Sequence, residues 1–293
     1  MFTFTLENDA GDKLKLTQDE SHYQIVSITG LNPPNANIIT SNVAGMDGSK
    51  FASSRLGNRN VVITVKINGD VENNRLKLYR YARTKHYCKM YYKNGSRNVY
   101  IEGYIETIEN DLFELGQTMQ ISVICPDPYF NSIDEIISDI SKVLGLFEFP
   151  FAFGAEGVIS PTDTDPAIEF STYDDDRIVN VTNSGEVDVG MTIELSALGE
   201  VVNPIVYNVE TRESFGLNLT MAKNDIIRIN TNNGQKSVQL IRDGVTTNLI
   251  NKVVRGSSWL KLTVGDNLFT YNATSGLEML FMVLMHRTRY EAV

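Results

Sequence analysis

The chain has 293 residues, 42% hydrophobic and 21% charged, which gives two domains of ordinary size enough apolar side chains for one core each. The formal net charge of −10 comes from residues 131–293, which hold 12 Lys and Arg against 22 Asp and Glu, whereas residues 1–130 hold 14 of each; this acidic half is a poor nucleic-acid binder. No window approaches the roughly 18 apolar residues of a membrane span, and the N-terminus lacks the pattern of a signal peptide, so we expect a protein made in a cytoplasm with no membrane partner.

The first half is predicted to consist of strands with one helix. Alternating or β-branched runs predict strands at Phe2–Glu7, Tyr23–Gly30, Ala36–Val43 and Asn60–Gly69. Residues 45–58 are small, polar and punctuated by glycines, so they are predicted to form a loop.

A helix is predicted near residues 71–84 from the helical spacing of the segment and from Asp70, which is suited to cap its N-terminus. A strand is then predicted at His86–Tyr92. The dipeptide Asn94-Gly95 is the one most typical of a tight hairpin, so the strand that follows it is predicted to pair with the strand at His86–Tyr92.

The stretch QISVICPDPYF ends the first half. Its strand is predicted to end at Ile124, because the two prolines lack the N–H that a paired strand needs. The aromatic residues after the prolines can then pack where the chain leaves the first domain. We therefore predict a structural exit motif that consists of Cys125, Pro126, Asp127, Pro128, Tyr129 and Phe130.

A linker with a short amphipathic helix is predicted after this motif. In residues 131–145 the isoleucines fall on one helical side, and Gly145 can end the helix. Pro150 excludes a central strand from the apolar run around it, which is predicted to be an extended edge segment. The predicted domains are 1–130 and 151–293, joined by a linker over 131–150.

The second half is predicted to be almost purely β. Turn signals such as Asn233-Gly234 and Asp243-Gly244 recur at intervals of about ten residues between alternating runs. This spacing is typical of a β-sandwich or jelly roll.

No catalytic signature is present in the sequence, which has no nucleophile elbow, phosphate-binding loop, dinucleotide fingerprint or H-E-x-x-H motif. Cys88 and Cys125 are predicted to be buried thiols, and a zinc site formed by His86, Cys88 and Cys125 would need a fourth ligand. The acidic run at residues 174–176 lacks the spacing of a calcium loop. We assign no catalytic residue, metal or cofactor.

Trp259 is the only tryptophan and is predicted at the start of a strand. Single aromatic residues stack on sugars in many lectin-like sandwiches, which makes Trp259 a candidate glycan contact. More often such a residue fills a core, and we favour that interpretation.

Residues 75–97 form the most informative charge pattern, with eight Lys and Arg, no Asp or Glu, and five tyrosines. This combination is found in nucleic-acid contacts and also in protein interfaces, in which Arg and Tyr are enriched. We favour the interface, because a domain with its cations on one face suits a head-to-tail ring. The predicted oligomer-interface residues are Arg75, Arg80, Arg83, Lys85, Glu102 and Glu106.

The order of these elements resembles the distal tail proteins of tailed bacteriophages. The resemblance rests on INGDVENNRLKLYRYA, the hairpin and TMQISVICPDPYF in the first half, and on NSGEVDVGMTIEL, NPIVYNVET, GDNLFTYNATSG and HRTRY in the second. It spans essentially the whole chain. It implies a mainly β fold, with an N-terminal ring-forming β-sandwich that has one short helix and a C-terminal galectin-like or jelly-roll β-sandwich.

The resemblance implies a structural virion protein that is assembled in the host bacterial cytoplasm. Members of this family form a hexameric hub ring at the distal end of the tail tube, and DNA passes through the ring without specific binding. The implied partners are further copies of the chain, the tail tube protein, the tail-tip or tail-associated protein, and baseplate or receptor-binding proteins. The family has no catalytic residues to carry over.

Two other functions stay open from the residues alone. The second half could be a carbohydrate-binding module of a tail or cell-surface adhesion device. A carboxylate-based glycosidase needs no local motif and is also compatible with the sequence. The same pair of folds occurs in contractile tails and in phage-derived bacteriocins, so the resemblance does not decide the tail type.

Overall fold

The structure is a computed structural model that describes residues 2–17, 22–110, 117–139, 143–145, 171–173 and 178–293. It divides into two units. The N-terminal unit consists of Met1–Glu135, Gly185–Val187 and Arg287–Val293, and the C-terminal unit consists of Ile136–Ser184 and Asp188–His286.

In its described residues the N-terminal unit consists of strands and one α-helix, Val71–Tyr81 (α1). The strands of its first 135 residues are Thr3–Asn8 (β1), Lys13–Leu16 (β2), Tyr23–Thr29 (β3), Ala36–Ser41 (β4), Lys50–Leu56 (β5), Arg59–Ile67 (β6), Tyr87–Lys93 (β7), Asn98–Asn110 (β8), Thr118–Cys125 (β9) and Phe130–Ser132 (β10).

The described residues of the rest of the chain add fifteen strands, with two 3₁₀ turns at Ile250–Lys252 and Leu277–Met279. The strands are Ile136–Asp139 (β11), Val143–Gly145 (β12), Ser171–Tyr173 (β13), Val179–Asn180 (β14), Thr192–Ala197 (β15), Val201–Val202 (β16), Ile205–Asn208 (β17), Ser214–Gly216 (β18), Thr220–Met221 (β19), Ile226–Asn230 (β20), Ser237–Arg242 (β21), Val245–Asn248 (β22), Leu268–Asn272 (β23), Leu280–His286 (β24) and Arg289–Tyr290 (β25).

One nine-stranded sheet forms the body of the N-terminal unit. Seven strands follow the order β2-β1-β7-β8-β9-β6-β3, and β10 pairs with both β8 and β25. Alternate residues of these strands face one apolar core that includes Phe4, Ile63, Ile101 and Ile121. The hairpin β4–β5 forms a separate two-stranded sheet.

Helix α1 packs on the same core through Leu78. Its predicted N-cap is confirmed, because the Asp70 side chain accepts a hydrogen bond from the main-chain N–H of Asn73 at 3.3 Å. The helix ends at Tyr81, before the predicted residue 84, since Ala82 already leaves the helical conformation.

Two sheets enclose the core of the C-terminal unit. The larger has the order β11-β24-β15-β20-β21-β22, and the smaller has the order β14-β23-β17-β18. Ile193 and Met282 from the larger sheet and Val206 and Phe269 from the smaller one belong to one buried cluster. With one α-helix among the described residues of both units, the predicted mainly β fold class is confirmed.

The predicted helix over residues 131–145 is wrong. The structure has strands β10, β11 and β12 in this segment, and Ile136 lies opposite His286 of β24. An isolated helix of this length is marginal in water, whereas β-branched isoleucines suit a strand, and the edge of the six-stranded sheet supplies the backbone partners.

The predicted loop over residues 45–58 is also wrong in part, because it contains β5, which pairs with β4 from Ala36↔Leu56 to Ser41↔Lys50. Trp259 does not start a strand, and the nearest pairing is an isolated bridge at Leu262. The predicted edge segment around Pro150 and the acidic run at 174–176 lie outside the described residues.

The end of the chain returns to the N-terminal unit. Strand β25 pairs with β10 through Phe130↔Tyr290 and Asn131↔Arg289, and residues 287–293 group with the first 135 residues. The predicted domain limits stay a prediction. Because residues 287–293 belong to the N-terminal unit, a fragment that starts after the linker would still carry part of that unit.

Candidate assembly surfaces of the N-terminal unit

The hairpin β4–β5 is the most exposed element of the N-terminal unit. Of its thirteen strand residues, twelve are exposed and only Leu56 is half-buried. The exposed side chains include large apolar ones, with Phe51 at 66% and Ile38 at 60% of full exposure, and Met46 in the connecting loop at 58%. Contiguous exposed apolar side chains of this kind mark surfaces that associate with other molecules.

The strand register gives this hairpin two different faces. Ile38 and Thr40 alternate with Ile39 along β4, and Thr40 lies opposite Phe51, so Ile38 and Phe51 share one face, on which the pair Ala36↔Leu56 also lies. The other face carries the pairs Asn37↔Arg55, Ile39↔Ser53 and Ser41↔Lys50. One face is therefore mainly apolar and the other mainly polar and basic.

A depression of about 610 Å³ lies between the end of α1 and the turn that joins β1 to β2. Lys77, Arg80 and Arg83 line one side, and Asp9 and Asp12 line the turn. The three cations have no carboxylate within 4.0 Å in the part of the chain that the structure describes. The depression therefore presents cationic groups that are available for a partner.

Asp9 is already engaged within the unit. Its carboxylate lies 2.6 Å from Nδ1 of His86, and this hydrogen bond lowers the pKa of Asp9, with a smaller contribution from the charge of Arg83. We call Lys77, Arg80 and Arg83 the α1 cation patch.

The structure places the other predicted interface residues apart from this patch. Nη1 of Arg75 donates to the side-chain oxygen of Gln117 at 3.4 Å, and Lys85 sits in a left-handed turn with φ 69°. Glu102 binds Lys89 of the same chain at 3.4 Å, and Glu106 accepts a hydrogen bond from Ser122 at 3.2 Å. Their role in an interface stays a prediction.

Two tyrosines of the basic stretch, Tyr87 and Tyr91, form cross-strand pairs with tyrosines of β8. Tyr87 packs edge-on against Tyr104 at 6.1 Å between ring centres, and Tyr91 lies 6.2 Å from Tyr100. Between them the ammonium of Lys89 stands 3.7 Å from the centre of the Tyr100 ring. These cations and rings stabilise each other within the sheet, and nothing in their arrangement requires DNA.

The exit motif is packed into the N-terminal unit. Strand β9 ends at Cys125, one residue later than predicted, and Phe130 is buried as the first residue of β10. The Cys125 thiol is buried, as is that of Cys88, and burial raises the pKa of each to about 12. Thiols with such a pKa are inert as nucleophiles near neutral pH.

Trp259 is partly buried against the C-terminal core, with its ring 5.1 Å from that of Phe215. The ammonium of Lys236 lies 5.4 Å from the indole centre. Its part in glycan binding stays a prediction.

In the described residues no group of three or more His, Cys, Asp or Glu side chains is placed to hold a metal ion, and no described helix has the length and apolarity to cross a membrane.

The hairpin is a surface that the sequence did not reveal. The sequence predicts β4 but a loop in place of β5, because residues 45–58 are small, polar and punctuated by glycines. The available signal was the pair of apolar residues Ile38 and Phe51 flanking a glycine-containing turn, but neither their register nor their exposure can be obtained without the cross-strand pairing.

Two family models match the chain. Residues 11–122 match the model of the phage tail protein RIFT-related domain, and residues 184–290 match the model of the siphovirus-type tail component, C-terminal domain. The chain belongs to the siphovirus-type distal tail protein family. The predicted resemblance is thereby confirmed, and the protein is a structural component of a phage tail.

Solved structures of phage tail assemblies share the fold of this distal tail protein. The SPP1 Dit protein, described as a paradigm of the hub adsorption apparatus in phages that infect Gram-positive bacteria, aligns with a TM-score of 0.66 at 13% identity, over 97% of this chain and 98% of its own. The phage P2 baseplate in its activated conformation with Ca aligns at 0.52 and 10% identity, and the same baseplate with Sr aligns at 0.51 and 8%, both over the full length of each chain. No curated protein sequence matches the chain.

Proposed function

We propose that this distal tail protein forms a closed hub ring at the distal end of the tail tube, on which the tail-tip or baseplate and receptor-binding proteins assemble. Six copies is the number that the family resemblance implies. The names of the structural relatives, a hub of an adsorption apparatus and a baseplate, support this role. In this role the protein has no catalytic function, DNA passes through the lumen without specific binding, and the protein resides in the virion after assembly in the host cytoplasm.

The observation that carries the proposal is the two-faced hairpin β4–β5. A hairpin alone is at best marginally stable in water, and this one presents Ile38 and Phe51 on its outside with nearly every residue exposed. Burial of its apolar face against a neighbouring copy would remove these side chains from water, with a gain of roughly 25 cal/mol for each Å² of apolar surface.

A ring also needs a second, different patch for the opposite side of each protomer. The α1 cation patch is a candidate, because its cations lack carboxylate partners in the described part of the chain. We propose that Arg80 and Arg83, with Arg75 and Lys85 nearby in sequence, face acids of the next copy such as Glu102, Glu106 and the exposed Glu109. Asp111 is a further acid that we propose for this role, and it lies outside the described residues.

We propose that the C-terminal unit serves as the outward docking domain. Its core is enclosed between two sheets, which suits a stable platform that does not need a partner to bury its apolar residues. The galectin-like character of this unit remains part of the proposal.

The test is the mass of the assembly, measured by light scattering and by negative-stain images of the purified chain. The parent should form rings of one size. The variant Phe51→Glu should shift the protein towards the monomer, because a carboxylate would be buried on the apolar face of the hairpin at high cost.

The matched control is Ser53→Glu, which adds the same carboxylate to the opposite face of the same strand and should leave more of the ring intact. Circular dichroism should show the same β content in all three proteins. A parent that stays monomeric at every concentration, or a Phe51→Glu variant that assembles as well as the parent, would count against the proposed ring.

A further inference from the structure

Arg59 is a buried cation at the start of β6, next to the exit motif. It is the first residue of β6, it lies opposite Cys125 at the end of β9, and it is 3% exposed. Its guanidinium donates to four main-chain carbonyl oxygens, at 2.6 Å to Pro128, Gly30 and Glu291 and at 2.7 Å to Asn32.

These four carbonyls belong to three separate segments of the chain. Gly30 and Asn32 lie in the turn after β3, Pro128 lies in the exit motif, and Glu291 lies at the C-terminal tail. The Arg59 guanidinium also stacks on Phe130, with 4.7 Å from its central carbon to the ring centre. Only a planar, forked cation can bind four oxygens in this way.

The charge of Arg59 is neutralised by carbonyl dipoles, since no carboxylate lies within 4.0 Å of it among the described residues. Burial lowers the pKa of this guanidinium, but an arginine stays protonated inside proteins. If residues 287–293 leave, the guanidinium loses the Glu291 carbonyl, and the Nη2 group of Arg59 is left without this hydrogen-bond acceptor. Seating of the tail and burial of Arg59 are therefore coupled.

Other contacts hold the same tail along its length. Nε of Arg289 donates to the side-chain oxygen of Asn131 at 2.9 Å, and its Nη2 pairs with the carboxylate of Asp127. The main-chain N–H of Glu291 donates to the Glu186 carboxylate at 2.9 Å, and the N–H of Val293 donates to the carbonyl of Leu31 at 3.3 Å.

The clamp formed by Arg59 flanks the exposed hairpin, because Asn32 precedes β4 and Arg59 follows β5. We propose that the groove formed by Arg59, the turn at Gly30–Asn32 and the exit motif is a binding site for the chain's own C-terminal tail, residues 287–293, and that a seated tail fixes the base of the hairpin and is required for ring assembly. This proposal rests on the proposed ring function. Residues 287–293 follow the C-terminal unit in sequence, so the N-terminal unit is complete only after the C-terminal unit has been synthesised.

The experiment uses the full chain with Arg59→Lys, which keeps the charge but loses the fork that reaches four carbonyls. Hydrogen exchange of the amides of Glu291 and Val293 should become faster by about tenfold or more, while amides in the middle of β8 and β9 keep their protection. The fraction of protein in rings, read by light scattering, should fall together with the loss of tail protection.

Two matched variants test whether the effect of Arg59→Lys comes from the lost hydrogen bonds to the four carbonyls. The alternatives are a general effect of an Arg→Lys substitution and a salt bridge with the Glu291 side chain. Arg255→Lys makes the same substitution at an exposed arginine and should change neither measurement. Glu291→Gln removes the side-chain charge but keeps the carbonyl that Arg59 binds, so tail protection and rings should persist. If Glu291→Gln released the tail as Arg59→Lys does, a salt bridge would replace the carbonyl clamp and the proposed mode of binding would be wrong.

A second route covers the case in which Arg59→Lys fails to fold. Arg289→Ala leaves the Arg59 clamp intact and removes the contacts to Asp127 and Asn131, so it should also speed tail exchange and reduce rings. Fast tail exchange with normal rings in the folded variants would refute the requirement of a seated tail for ring assembly. Unchanged tail exchange would refute the binding of the tail by Arg59 and Arg289. Absence of rings in the parent would instead refute the proposed function, while tail exchange in the parent and variants would still report on the groove.

Discussion

The two units of this distal tail protein bury their apolar residues to different degrees. In the N-terminal unit Ile38, Ile39, Val43, Met46 and Phe51 are exposed on one hairpin and its loop, whereas the exposed apolar residues of the C-terminal unit are spread over strands, 3₁₀ turns and loops. Scattered exposed residues are normal on any protein surface, but a contiguous group indicates an interface. This difference supports the proposal that the N-terminal unit associates with other copies, whereas the C-terminal unit does not need a partner to bury its apolar residues.

Each unit nevertheless contains a tightly packed glycine with positive φ, and substitution of these two glycines should cause the largest losses of stability. Gly30 in the N-terminal unit and Gly276 in the C-terminal unit have positive φ, and a Cβ on either would stand 2.0 Å from a carbonyl oxygen, that of Asn60 or of Glu200. We expect Gly30→Ala and Gly276→Ala each to lower the free energy of unfolding by about 3 kcal/mol or more, because the strain and the overlap add. Differential scanning calorimetry with urea titrations would measure it.

Matched controls come from glycines with the same backbone but open space. Gly11→Ala and Gly244→Ala combine positive φ with no atom within 4 Å of the added Cβ, so each should cost only about 1 kcal/mol. If the units unfold independently, Gly30→Ala should lower only the N-terminal transition and Gly276→Ala only the C-terminal one. One shared transition in both variants would show that the two units unfold as a single cooperative body.

A buried carboxylate should make the C-terminal unit sensitive to acid. Asp225 is 1% exposed, binds Nε of Arg242 at 2.7 Å and accepts the N–H of Ala222 at 2.7 Å. The Arg242 hydrogen bonds lower the pKa of Asp225, so its contribution is complete above the unfolded pKa of about 4 and is lost as pH falls through the lower folded value. Asp225→Asn should cost roughly 2 kcal/mol at pH 7.

The difference between Asp225→Asn and the parent should shrink as the pH approaches the lowered pKa, because the parent then loses the same charge. Urea midpoints of the C-terminal transition at neutral and acidic pH measure this. Asp243→Asn removes a neighbouring exposed charge at a left-handed position that asparagine tolerates, and it should leave the midpoint unchanged. A pH-independent difference would mean that packing, not charge, explains the loss.

The smallest expected effect concerns the charges of the N-terminal unit. Exposed ion pairs contribute little each, so Arg80→Glu with Arg83→Glu should weaken ring association by roughly tenfold at low salt and less at high salt, where charges are screened. Analytical ultracentrifugation at two salt concentrations measures this, with circular dichroism to check the fold.

The control reverses two exposed cations of the same unit away from the patch, Lys15→Glu with Lys66→Glu, which makes the same change in net charge. It should affect assembly less. If the Arg80 and Arg83 variant assembles normally but loses an affinity for DNA that the parent shows, the nucleic-acid interpretation of the basic stretch replaces the interface.

Local signals in the sequence determined much of this protein. The alternating run over Arg59–Ile67, the cap at Asp70 and the turn at Asn94-Gly95 act within a few residues, so the energies that select them can be seen in the sequence. The order of these elements also indicated the family, and the cations of residues 75–97 were visible as a charge pattern before their positions were known.

Tertiary structure decided what depends on distant partners. The segment 136–139 is a strand because β24 offers it backbone groups, and β5 exists because β4 lies beside it. The apolar face of the hairpin follows from a register that no local pattern fixes. Arg59 reads in the sequence as one more surface cation, and only the meeting of the turn at Gly30–Asn32, Pro128 and Glu291 makes it a buried clamp, because residues far apart in sequence supply the four oxygens that a buried guanidinium requires.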